Sequence, residues 1–141
     1  MITRTAEAQW DGKLRDGKGT LQRPHGCGAE SYSFGTRFGQ DPGTNPEELI
    51  GAAHAGCFSM ALAGLIEQAG FTPERVHTRA RVLLDKKGAG FAITGVELET
   101  EARVPGMEAA AFAAQAETAK RNCPVSQALA ALPITLRARL L

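Results

Sequence analysis

The chain has 141 residues, about one domain's length, and a single domain over residues 1–141 is expected. With 43% hydrophobic and 22% charged residues it can build a core, which excludes a disordered chain. Sixteen basic against fifteen acidic residues leave a net charge of +1 with no basic tract, which argues against a nucleic-acid partner. Three cysteines are too few and too scattered for a disulfide scaffold. The stretch Met1 to Glu7 has no apolar signal core, so a cytoplasmic location is expected.

Residues 2–38 alternate apolar and polar positions, broken by Asp11-Gly12 and Asp16-Gly17-Lys18-Gly19. Two strands are predicted here and a third over about 30–38, with Arg37 at its end. After a polar loop over 39–45, a helix is predicted to start with Thr44 or Asn45 as cap and Pro46 in the first turn. Glu47 and Glu48 complement its positive end. Gly70 stops it near Ala69. The run Leu49 to Ile66 carries no formal charge over 18 residues, nominally a membrane span. Its many Ala and Gly residues, and His54 within it, favour a buried central helix and no membrane partner. A helix apolar nearly all round has to be covered all round, which favours a partner subunit.

Residues 76–104 predict a hairpin. Val76, Thr78, Ala80, Val82 and Leu84 share one face, and His77, Arg79 and Arg81 the other. Lys86 to Gly90 is the turn, Gly95 marks a bulge, and Glu97, Glu99 and Glu101 face solvent opposite the arginines. A helix over about 107–121, another starting at Pro124, and a strand over 134–140 complete an α+β chain.

The cysteines carry the chemistry. A thiol reacts as its thiolate, and its surroundings set that fraction. Cys123 stands before Pro124 at a helix start, where backbone N–H groups favour an anion. Cys57 lies mid-helix among Ala, Gly, Phe and Met, where burial raises its pKa. To attack, Cys57 needs a fixed cation; Arg37 and Arg15 are the candidates. The plain alternative is that Cys57 is a small core residue, Cys27 an incidental turn residue and His54 a hydrogen-bonded core histidine. A zinc site from His54, Cys57 and Cys123, or from His25 and Cys27, is a further alternative that lacks a Cys-x-x-Cys pair. No cofactor or metal is expected.

The segment from Gly43 through Glu47, His54 and Cys57 to Leu62 resembles the signature of the osmotically inducible protein C (OsmC) family. So do Asn122-Cys123-Pro124-Val125-Ser126, Gly35-Thr36-Arg37-Phe38 and Gly90-Phe91-Ala92-Ile93-Thr94. The resemblance implies a thiol peroxidase reducing organic hydroperoxides, and hydrogen peroxide more slowly. It also implies an intertwined homodimer in which antiparallel sheets surround long central buried helices, with sites at the subunit interface. By position, Cys57 resembles the peroxidatic cysteine and Cys123 the resolving one. Arg37 resembles the activating arginine and Glu47 the carboxylate that orients it. A related branch takes its arginine from the first hairpin, where this chain has Arg15.

The implied cycle runs from thiolate to sulfenic acid, then to a Cys57–Cys123 disulfide that a thiol or dithiol reductant reopens. Phe58 and Met60 are candidates for an apolar substrate lining or for plain core. A non-enzymatic module on the same fold, with inert thiols, is the competing function. Glu47 precedes Cys57 by ten helical residues, about 15 Å at ~1.5 Å per residue. At least one of Arg37 and Glu47 is therefore expected to come from the partner subunit.

Overall fold

Turn chemistry organises the first strands. β1 (Glu7–Asp11) and β2 (Lys18–Gln22) pair antiparallel from Glu7↔Gln22 to Asp11↔Lys18, and β3 (Ala29–Tyr32) adds antiparallel to β2. Gly19 faces Tyr32 across the ladder. A Cβ on Gly19 would stand 2.3 Å from the Tyr32 ring, so only glycine lets that ring lie across the strand. Tyr32 in turn packs against Trp10, with ring centroids 5.4 Å apart. The computed structural model describes all residues, Met1–Leu141, in two units, Met1–Leu49 and Ile50–Leu141.

The expected third strand over 30–38 stops at Tyr32, and Phe34–Phe38 is a short helix, α1. Local hydrogen bonding is the reason. The Ser33 hydroxyl accepts from the Thr36 N–H at 3.2 Å and Thr36 Oγ1 accepts from the Ser33 N–H at 2.9 Å, a closed capping box. Phe34 and Phe38 fit a strand's alternation, but they also stand four apart, and their rings pack at 4.8 Å on one helix face. Arg37 therefore projects from a helix, not from a strand end.

Helix α2 spans Pro46–Gln68. Of the two candidate caps, Asn45 takes the role: its Oδ1 accepts from the Glu48 N–H at 2.9 Å. Its Nδ2 donates to the Thr36 carbonyl at 3.3 Å, tying α1 to the start of α2. Asn45→Ala is expected to cost about 0.5–2 kcal/mol, seen as a lower urea midpoint. The C-terminus closes as a Schellman motif. Gly70, at φ +87°, donates to Glu67 O and Phe71 donates to Ile66 O.

Phe58, Leu62 and Ile66, spaced by four, are fully buried on one stripe of α2. They meet Val96, Leu98, Ala102, Phe112, Ala116, Ala119 and Cys123 in one core. Leu62→Ala is expected to cost about 2–5 kcal/mol by the cavity it leaves, read from the same midpoint. The other side of the helix stays open. Only 28% of its most apolar 18-residue window is buried within the chain, so the expectation of a fully buried helix is not met by one subunit. Ala52, Ala53 and Gly56 are exposed and Met60 is 78% exposed.

The second sheet is ordered β4-β5-β6. β4 (Arg75–Lys87) and β5 (Gly90–Arg103) form the predicted hairpin with the predicted alternation. The register shifts where Leu83 faces Gly95 but Leu84 faces Ile93, which leaves Thr94 as the extra residue beside Gly95. Glu97 pairs with Arg81 at 2.9 Å, as expected across the hairpin; Glu101 pairs with Arg139 of the last strand at 2.5 Å. These exposed pairs contribute roughly 0–1 kcal/mol each.

The expectation of purely antiparallel sheets is corrected by β6 (Ile134–Leu140), which runs parallel to β5 from Val96↔Ile134 to Ala102↔Leu140. A parallel return needs a crossover, supplied here by α3 (Ala109–Asn122) and α4 (Pro124–Ala128). α3 buries Phe112, Ala116 and Ala119, again one helical stripe.

Candidate active site

The N-terminal unit places one ion pair with care. Arg37 Nη2 donates to Glu47 Oε1 at 2.7 Å, and Arg37 Nε donates to Oε1 and Oε2 at 3.1 and 3.2 Å. This fork holds the guanidinium in one orientation. The Arg37 side chain keeps 39% of its surface exposed against 10% for Glu47, so the carboxylate is the anchor and the cation is presented outward. Asn45 sets the geometry, since it caps the helix that carries Glu47 and holds the Thr36 carbonyl of α1, which carries Arg37.

Beside Arg37 lies an apolar cavity of about 240 Å³, lined among others by Trp10, Leu14, Tyr32, Phe34 and Phe38. Arg15 stacks its guanidinium over the Phe34 ring at 5.1 Å and makes no pair with Glu47. Of the two candidate arginines, the one fixed by a buried carboxylate is Arg37.

The C-terminal unit brings the two cysteines together. Cys57 is half-buried on α2, Cys123 is fully buried at the junction of α3 and α4, and both are free thiols. The Cys57 and Cys123 side chains interact with one another. Burial pushes the Cys57 pKa up, its hydrogen bond to Cys123 pushes it further, and the Val125 N–H offsets part of this. Burial also pushes Cys123 upward, yet its pKa ends below the usual thiol value. Hydrogen bonds with the Cys57 side chain, the Ser126 N–H and hydroxyl, and the Val125 N–H all lower it. Within one subunit, then, Cys57 is pushed toward the thiol and Cys123 toward the thiolate. Cys27 is exposed in its turn, as an incidental residue would be.

No group of three His, Cys, Asp or Glu side chains is gathered as a metal site. His54 is fully buried and bound instead to Ser126, with Nε2 and Oγ 2.7 Å apart. Burial lowers its pKa from the usual 6.5. The unfolded chain then takes up a proton that the folded chain resists, so stability is full above that value and falls as the pH drops below it. His54→Gln, which cannot titrate, is expected to flatten this part of the curve in urea midpoints measured between about pH 7 and 5.

Residues 39–137 match the OsmC family, described as OsmC-like protein. Peroxiredoxin OsmC of Escherichia coli (strain K12) is 50% identical over 131 residues, 92% of this chain and 92% of its own length. The chain belongs to the OsmC-like family. The organic hydroperoxide resistance protein of Xanthomonas axonopodis pv. citri (strain 306) is 33% identical over 87 residues, 61% of this chain and 59% of its own. The crystal structure of the organic hydroperoxide resistance protein OhrB of Bacillus subtilis shares the fold at a TM-score of 0.73 and 22% identity, covering 97% of this chain and 98% of that one. An OsmC-like protein of unknown function from Vibrio cholerae does so at 0.77 and 17% identity, covering 98% and 99%.

On this OsmC-like fold, Phe58 is core and not substrate lining, because it sits on the stripe of α2 that faces the sheet. Met60 lies on the open side. Two residues near the site had no distinct sequence signal of their role: Ser126, which touches both Cys123 and His54, and Asn45, which holds α1 as well as capping α2.

Proposed function

We propose that this chain is a cysteine-based peroxidase that reduces organic hydroperoxides, and hydrogen peroxide more slowly, in the cytoplasm. The observation that carries the reading is the Cys57–Cys123 contact, two free thiols in one site of a chain 50% identical to a peroxiredoxin. Cys57 is the peroxidatic thiol and Cys123 the resolving one. The Cys57 thiolate attacks the distal peroxide oxygen; the O–O bond breaks, alcohol leaves, and a sulfenic acid remains. Cys123 then attacks that sulfur, water leaves, and a disulfide forms. A dithiol reductant returns both thiols by exchange.

Cys57 needs help to ionise, because within one subunit its proton is held. Arg37, oriented by Glu47, is the cation that supplies it. Since ten helical residues separate Glu47 from Cys57, the Arg37–Glu47 pair of one subunit serves Cys57 of the other in a homodimer. The exposed apolar side of α2, with Met60 at its centre, supports such a dimer, and reading it as an interface removes the need for a membrane. Met60→Glu is expected to yield a monomer by analytical ultracentrifugation and to lose peroxidase activity with the interface. The cavity beside Arg37, walled by Trp10, Phe34 and Phe38, suits a hydrocarbon tail.

The deciding experiment is a thiol count. Reduced protein treated with one equivalent of cumene hydroperoxide should lose two thiols per chain and yield a Cys57–Cys123 linked peptide by mass spectrometry. An unchanged count would overturn the peroxidase reading in favour of a module with inert thiols.

A further inference from the structure

His54 and Ser126 are a buried polar pair that the peroxidase cycle leaves unused. His54 stands one helical turn before Cys57 on α2, and Ser126 one turn after Cys123 in α4. They are 72 positions apart in sequence and 2.7 Å apart in space. We propose that they form a positioning relay for the resolving sulfur: His54, as its Nε2–H tautomer, donates to Ser126 Oγ and so commits the Ser126 hydroxyl proton to Cys123. The role assigned to Cys123 rests on the peroxidase reading; the hydrogen-bond direction does not.

The direction follows from counting donors. A serine hydroxyl has one proton. Were His54 Nε2 to accept it, Ser126 could offer Cys123 only lone pairs, which do not stabilise a thiolate. The other ring nitrogen decides between the tautomers. His54 Nδ1 is buried and has no hydrogen-bond partner. In the Nδ1–H tautomer it would be an orphaned buried donor, the rarer and costlier case; in the Nε2–H tautomer it is a bare lone pair. Burial also keeps the ring neutral, so only one N–H exists to be placed. The chain of donors then runs from His54 through Ser126 to Cys123, where the Ser126 and Val125 N–H groups converge as well.

Such a relay acts on the second half of the cycle. As Cys123 gives up its proton and attacks Cys57, the S–S bond forms and the S–O bond breaks. The departing hydroxide leaves as water, carrying the proton that Cys123 released. A hydroxyl donor held on Cys123 favours the thiolate that makes this attack, and it does not itself touch the peroxide.

Single-turnover mass spectrometry with cumene hydroperoxide separates the two halves. Dimedone trapping reports the sulfenic acid at Cys57, and the linked peptide reports resolution. Ser126→Ala and His54→Leu are expected still to form sulfenic acid at Cys57 but to resolve it about tenfold or more slowly, the loss of one hydrogen bond to a charged group. His54→Gln, whose side-chain amide supplies a donor near the position of Nε2, is expected to restore much of that rate, which a packing role alone would not predict. Nitrogen NMR of the wild-type protein should show His54 protonated at Nε2 and bare at Nδ1, a readout independent of any variant's folding. A proton on Nδ1, or wild-type resolution rates in both Ser126→Ala and His54→Leu, would overturn the relay. Absence of both sulfenic acid at Cys57 and the Cys57–Cys123 linked peptide in wild type would overturn the peroxidase reading instead, while the NMR tautomer would still judge the hydrogen-bond direction.

Discussion

Cys57→Ser is expected to abolish peroxide turnover, and Cys123→Ser to reduce one equivalent and then stall. The asymmetry follows from where each sulfur sits. Cys57 is half-buried, so a peroxide can reach it, whereas Cys123 is fully buried in the core, its N–H bonded to the Ala119 carbonyl. A serine hydroxyl at position 57 has no accessible anion near neutral pH and no sulfur chemistry to offer. In Cys123→Ser the first attack proceeds, but the sulfenic acid has no partner thiol within reach. It persists, is trapped by dimedone, and climbs to the sulfinic state under excess peroxide. Steady-state turnover with a dithiol and the oxidation state of the Cys57 peptide check both outcomes. Multiple turnover retained in Cys57→Ser would refute the assignment of Cys57.

Arg37→Ala should lower peroxide reduction by about 10²–10³-fold, the scale of removing a fixed electrostatic stabiliser from a partly dry site. The Cys57 thiolate titration should move to higher pH at the same time, because burial and the bond to Cys123 already hold that proton in place. Glu47→Gln should weaken activity less, since the cation remains but its fork is no longer held by a charged partner.

The proposed shared site makes a sharper statement. Cys57→Ser alone is expected to be inactive, and Arg37→Ala alone nearly so. In a mixed dimer, the Arg37 of the first meets the Cys57 of the second in one of two sites. Random exchange of equal amounts should therefore recover about a quarter of wild-type activity, from half the dimers carrying one working site each. No recovery, with exchange verified by mass spectrometry, would place the whole site within one subunit.

Much of this molecule was legible along the chain. The Asn-Pro-Glu-Glu start of α2, its Gly70 stop and the alternation of β4 are local signals, and local hydrogen bonds and side-chain periodicity enforce them. The Phe34–Phe38 segment misled because two phenylalanines four apart satisfy both a strand's period and a helix's. The capping box of Ser33 and Thr36 chose the helix. The parallel course of β6 had no local signature, since strand direction depends on how α3 and α4 return the chain to the sheet.

The family pattern identified the two cysteines, the arginine and the glutamate as candidates, but not their energetics. From the sequence alone came the secondary structure of the long elements, the family, and the residue types able to do sulfur chemistry. These depend on neighbours a few positions away or on motif identity. Only the tertiary structure joined Arg37 to Glu47 in a defined fork, set Cys57 against Cys123, and placed His54 on Ser126. Each of those is a contact whose strength depends on burial and on the angle between donors. Both arise only when segments distant in sequence share one low-dielectric interior.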